Sequence, residues 1–138
     1  MRCIVFVDDD IVVCSNRDGI SHPWAGGRRE RAETLIETGC REVHEETGWL
    51  VDPDSLRPLG WLHFEHLREQ PDDHPWPHPD FLQVVYTGRA SDREGGPDVD
   101  WTDTEGYELS SRRMTVDEAA AAMSGDRLAL AFLRLLRR

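Results

Sequence analysis

Three observations predict an α+β fold. β-rich runs begin at the N-terminus and recur along the chain, a helix with a clear terminator lies in the first third, and two capped helices close the C-terminal end. At 138 residues the chain is long enough for one domain with a proper core and too short for two, so a single domain over 1–138 is expected.

The elements follow in order. Residues 3–7 and 11–14 are short β-rich runs around Asp8-Asp9-Asp10 and predict a hairpin. Residues 16–23 read as loop, and Trp24 starts a short extended piece into Gly26-Gly27, where two glycines let the backbone turn tightly and approach a ligand. Residues 34–47 are predicted helical, with Gly48 as terminator because it accepts the left-handed conformation of a helix end. Leu50-Val51 is extended and Pro53-Asp54 turns.

Residues 59–67 alternate, with Trp61, His63 and Glu65 on one face and Leu62, Phe64 and His66 on the other, and the pattern leaves the core face open. A proline- and histidine-rich loop, 68–80, precedes a strand at 81–89; a long loop between two strands can form one wall of a pocket. Residues 91–105 are acidic loop and 107–114 extended. Thr115 and Glu118 form a capping box for a helix that runs through Met123 and ends at Ser124-Gly125. Asp126 caps a last helix, 127–138, whose predicted apolar stripe is Leu128, Ala131, Phe132, Leu135 and Leu136.

The first helix carries the chemistry. Residues three and four apart share a face, so Glu42, Glu45 and Glu46 present three carboxylates on one side. Leu35, Ile36, Cys40 and Val43 make the opposite side, expected to lie on a sheet, and Gly39 suggests close approach of another backbone there. Like charges at this spacing repel, and more so when desolvated. A cation filling the cluster explains it, and all-oxygen donors suit Mg²⁺, with Mn²⁺ as the alternative. Arg41 stands four residues from both Glu37 and Glu45 and can pair with either. A solvated acidic face with intrahelical pairs is the competing account.

The spacing Gly27-x5-Glu33-x7-Arg41-Glu42-Val43-x-Glu45-Glu46-x-Gly48 resembles the Nudix box, the signature of hydrolases that cleave a nucleoside diphosphate linked to another group. Trp49 stands where the family usually has an aliphatic residue, and Ala25 where a proline often precedes the glycines. The resemblance implies a Nudix fold, a mixed sheet between helices, with the box as loop–helix–loop. It implies Mg²⁺ held by Glu42, Glu45 and Glu46, with Glu46 as primary ligand and the Gly27 backbone carbonyl as a further one, while Arg41 and Glu33 brace the loop. The general base is then a box glutamate or a downstream one; Glu105, with Glu108 second, occupies about the right place. Arg28 and Trp76 are the expected substrate contacts, Trp76 by stacking on a base or else by anchoring its loop.

The alternative within the family is a domain that binds a nucleotide or ADP-ribose-type ligand without cleaving it; such domains are expected to lose box glutamates, and this chain keeps them. An isoprenoid diphosphate isomerase shares the fold but needs a cysteine motif not evident here. Many relatives dimerise, so a homodimer is a further expectation.

A net charge of −11 disfavours long nucleic acid or a membrane as partner, while a small nucleotide arrives with its phosphates metal-bound. No apolar run approaches the roughly 20 residues of a membrane span, and the N-terminus reads as a strand rather than a leader. Cys3, Cys14 and Cys40 lack metal-ligand spacing and are expected reduced and buried, in the cytoplasm. His74 and His78 are expected at the surface, and Arg134, Arg137 and Arg138 as favourable charge at a helix C-terminus.

Overall fold

The computed structural model describes residues 1–137, so the expectation for Arg138 lies outside the described residues. Strands β1 (Arg2–Val7) and β2 (Asp10–Asn16) are apolar on both faces, as strands covered on both sides must be. Cys3, Val5, Val7, Val12 and Cys14 point into one core layer; Ile4, Ile11 and Val13 point into the other. The acidic turn between them has Asp8 in the left-handed region (φ 56°), and Arg113 reaches Asp8 and Asp10 at 3.0 and 3.4 Å.

The sheet is mixed. After β3 (Ser21–His22), α1 (Leu35–Thr47), β4 (Trp49–Val51) and a 3-10 turn at Pro53–Ser55 come β5 (Arg57–Glu65) and the long β6 (Asp80–Arg93), then β7 (Glu108–Met114), α2 (Val116–Ala122) and α3 (Arg127–Leu135). β6 runs parallel to β1 and antiparallel to β4 and β5; β2 runs antiparallel to β1, β3 and β7. α1 packs over the layer built on Val43, Trp49, Val51 and Leu56, and α2 and α3 cover the other through Ala119, Met123, Phe132 and Leu133. The expected α+β sandwich is therefore present.

Several boundaries and faces differ from expectation. β6 continues through Arg93, because β4 pairs with Ala90, Asp92 and Arg93 and extends the strand into the stretch expected as loop. β3 interrupts the loop expected at 16–23. In β5 the core face is Leu59 and Leu62, leaving Trp61 at 67% exposure. The stripe of α3 is rotated: Ala129, Phe132 and Leu133 are buried, while Leu128 and Leu135 are 49% and 41% exposed. A leucine-rich helix offers two stripes at the same period, and the small Ala129 lets this one approach the sheet more closely.

Candidate active site

α1 is fixed at both ends. Thr34 and Glu37 form a reciprocal capping box, so Glu37 is committed to the N-terminus and does not pair with Arg41. Gly48 (φ 75°) ends the helix, and the Trp101 ring packs where a side chain at 48 would stand, its indole N–H donating to the Glu45 carbonyl at 3.0 Å. The face against the sheet is Thr38, Gly39, Val43 and Thr47 rather than the expected Leu35, Ile36, Cys40 and Val43; Ile36 is 41% exposed and Cys40 half-buried. Gly39 accommodates the Met1 side chain, not a backbone: a Cβ there would meet its Cε at 2.8 Å.

That rotation turns Glu42 and Glu46 toward the sheet instead of leaving three acids on a solvated face. The Glu46 Oε2 accepts the Gly26 N–H at 2.9 Å, and the Glu42 carboxylate lies against Gly27, whose missing Cβ would stand 2.5 Å from Oε1. Arg41 binds Glu33 at 2.6 and 3.1 Å, Glu42 and Glu45 at 2.9 Å each, and the Arg28 carbonyl at 3.0 Å. One guanidinium thus ties the loop before α1 to two of the three box acids.

The electrostatics follow. The Arg41 hydrogen bonds hold Glu33 down to about 2. Burial pushes Glu42 up, opposed by Arg41, and pushes Glu46 up to about 8, opposed by the Gly26 N–H and Arg2. Two desolvated carboxylates with insufficient compensation form the inner wall of a cleft of about 610 Å³. Arg2, Arg28 and Trp76 line it from other elements, as do Glu105 and Glu108.

The substrate-side residues are more constrained than expected. The Arg28 guanidinium lies over the Trp76 ring, 4.2 Å from its centroid, and Trp76 also stacks on Phe81 at 5.6 Å, which stacks on Phe64 at 5.0 Å. Trp76 is 39% exposed, so it both anchors its loop and carries a cation at the cleft. The Gly27 carbonyl accepts from the Met1 amino group and the Gly26 carbonyl from Arg2, each at 2.6 Å. Glu105 is exposed, whereas Glu108 is 2% exposed.

Four residues at this site carried no usable signal in the sequence. Arg2 and Trp101 come from distant parts of the chain. Buried Asp103 accepts the backbone N–H groups of Glu105, Tyr107 and Glu108, shaping the turn that carries both glutamates; the acidic, glycine-containing stretch hinted only at a loop. His22 reaches Glu108 at 2.8 Å across 86 positions, a separation no local pattern encodes.

Among the described residues no three His, Cys, Asp or Glu side chains converge closely enough to hold a metal. The donors still fit a hard divalent ion, since Mg²⁺ commonly uses one or two carboxylates and takes water and phosphate oxygens for the rest. Glu42 and Glu46 are half-buried acids raised by burial, and a cation would reverse that cost.

The NUDIX domain family profile matches residues 1–134. The chain belongs to the NUDIX family. No curated protein matches it. Among solved structures, a NUDIX hydrolase from Nitrosomonas europaea aligns with a TM-score of 0.67 at 18% identity, over 97% of this chain and 84% of that one. A MutT mutator protein from Bacillus halodurans aligns at 0.64 and 24% identity, over 99% and 80%. An ADP-ribose pyrophosphatase from Streptococcus suis aligns at 0.58 and 19%, over 99% and 90%. At these identities the likeness establishes the Nudix fold. The NUDIX box of this chain is the Gly27–Gly48 segment at the cleft. No helix among the described residues is long and apolar enough to cross a membrane.

Proposed function

We propose that this chain is a divalent-cation-dependent pyrophosphohydrolase that uses water to split a nucleoside diphosphate from the group attached to it. The observation that carries the reading is the meeting, in one cleft, of Glu42, Glu45 and Glu46 with Arg2 and Arg28. Acids that hold a cation and cations that receive phosphate oxygens are the two requirements of phosphoryl-type transfer. Glu42, Glu45 and Glu46 would hold Mg²⁺, or Mn²⁺ in its place, and the ion would neutralise charge on the phosphate oxygens.

The chain's own residues do the rest. Arg41 holds Glu42 and Glu45 in register with the loop through Glu33. Arg28, steadied on Trp76, meets phosphate at the outer wall. Glu105 and Glu108 also line the cleft and, with the box glutamates, are the candidates to take a proton from attacking water. The substrate is a small nucleotide-type molecule, and the cytoplasm is the proposed location.

A panel of ADP-ribose, nucleoside triphosphates including oxidised ones, dinucleoside polyphosphates, sugar nucleotides and coenzymes, each incubated with and without Mg²⁺, tests the proposal. Release of a nucleoside monophosphate and a phosphorylated remainder only with the cation is the expected result. Binding of a panel member with no product from any would replace the hydrolase by a ligand-sensing domain.

A further inference from the structure

Trp76 and Tyr107 are the aromatic residues that line the cleft, and they differ in what already covers them. Trp76 carries the Arg28 guanidinium 4.2 Å from its centroid and stacks on Phe81 at 5.6 Å, with 13° between the planes. A base laid on that ring has to displace one of the two. Tyr107 is 41% exposed, and no aromatic ring stacks on it among the described residues.

Tyr107 is held in place by groups that do not line the cleft. Its hydroxyl accepts an N–H from Asn16 Nδ2 at 3.3 Å. Asn16 is itself buried, and its Oδ1 accepts the Asp18 and Ile20 N–H groups at 3.0 Å each. The Arg17 guanidinium lies over the ring, 5.1 Å from its centroid, and the Arg17 N–H donates to the Tyr107 carbonyl at 2.9 Å. The Tyr107 N–H donates to Asp103 Oδ2 at 3.1 Å, so both backbone groups are taken. With Arg17 on one face of the ring, the other face is left for a ligand. A ring fixed beforehand loses little further freedom when a planar group stacks on it.

Resting on the hydrolase reading above, we infer that Tyr107, rather than Trp76, is the ring on which the nucleobase of the substrate stacks. Stacking uses the π-face that every nucleobase has. Tyr107 therefore selects nucleotides over phosphates that lack a base and does not choose among the bases. Trp76 keeps Arg28 in place for phosphate, so the two rings have separate tasks in one cleft.

NMR titration with adenosine and guanosine monophosphates, which carry a base and no anhydride to cleave, tests the inference without turnover. Intermolecular NOEs between base protons and the Tyr107 ring are expected in the wild type. No binding of either monophosphate, or NOEs to Trp76 in place of Tyr107, overturns the inference even if every Tyr107 variant fails to fold. Tyr107→Leu should weaken monophosphate binding and raise substrate KM by about 5–150-fold, the factor that one lost aromatic stack brings. Tyr107→Phe keeps the ring and should stay close to wild type. Inorganic pyrophosphate has no base and should bind wild type and Tyr107→Leu equally; a parallel loss would mean that the residue only shapes its turn, and overturns the inference. If the wild type hydrolyses nothing in the panel while the NOEs to Tyr107 persist, the hydrolase reading falls and the base site stands. Hydrolysis with a KM indifferent to Tyr107→Leu in a folded protein removes the base site alone.

Discussion

Replacing Gly27 with alanine perturbs one carboxylate and little else. The new Cβ would stand 2.5 Å from Glu42 Oε1 and 2.6 Å from its Cδ, whereas ordinary contact begins near 3.4 Å, so the carboxylate must retreat by about 0.9 Å. Gly27 is not among the positive-φ glycines, so its backbone accepts alanine without strain. The retreat pulls Oε1 from the Arg41 Nη1 it accepts at 2.9 Å. A displacement of this size in a catalytic constellation costs about 10²-fold in rate, or about 2.7 kcal/mol of transition-state stabilisation. The assay is kcat with saturating Mg²⁺ on the preferred panel substrate, paired with a thermal melt. A second variant, Gly27→Ala with Glu42→Asp, shortens the displaced side chain, and there the alanine should cost less than it does alone. Turnover within threefold of wild type in a folded Gly27→Ala protein would refute the claim that Glu42 works from this position.

Trp76→Ala and Arg28→Ala should each raise KM more than they lower kcat, and the double variant should raise it little further, because the ring acts by holding the guanidinium; additive effects measured in a double-mutant cycle would separate the two. Ala129→Leu should destabilise the fold by about 1–3 kcal/mol in urea titration, and Ala131→Leu, on the exposed side of α3, by much less; the reverse order would restore the stripe expected from sequence. The Thr115 hydrogen bonds hold Glu118 below the usual carboxylate range. An acid lowered in this way stabilises above its unfolded value of about 4.5, and the contribution is lost as pH falls through the folded value. Thr115→Ala should therefore lower the melting temperature by roughly 2–4 °C at pH 7, with the gap to wild type narrowing below pH 4.5.

The box was legible because its spacing is local: Glu33, Arg41 and the three glutamates sit within one loop and one helix, and helical periodicity brings them together. The capping box at Thr115 and the cap at Asp126 were legible for the same reason. What sequence did not reveal depends on rotation or on long-range pairing. The buried face of α1 is Thr38, Gly39, Val43 and Thr47 because two threonines satisfy their hydroxyls internally, Thr38 to the Thr34 carbonyl and Thr47 to that of Val43. Apolarity alone pointed to Ile36 instead. Trp101 over the end of α1, Arg2 at the cleft and His22 against Glu108 become neighbours only once the sheet is formed. The extension of β6 to Arg93 likewise depends on β4, which follows α1 by a single residue.

The central claim is that Glu42, Glu45 and Glu46 form a seat for a divalent ion rather than an acidic face neutralised by Arg41. Calorimetric titration of Mg²⁺ into wild-type and Glu46→Gln protein, with turnover measured on the same samples, tests it most directly. Saturable binding and hydrolysis in the wild type are expected, with binding weakened and turnover reduced at least about 10²-fold in a variant that remains folded. Equal Mg²⁺ affinity and equal turnover in the two proteins would contradict the account.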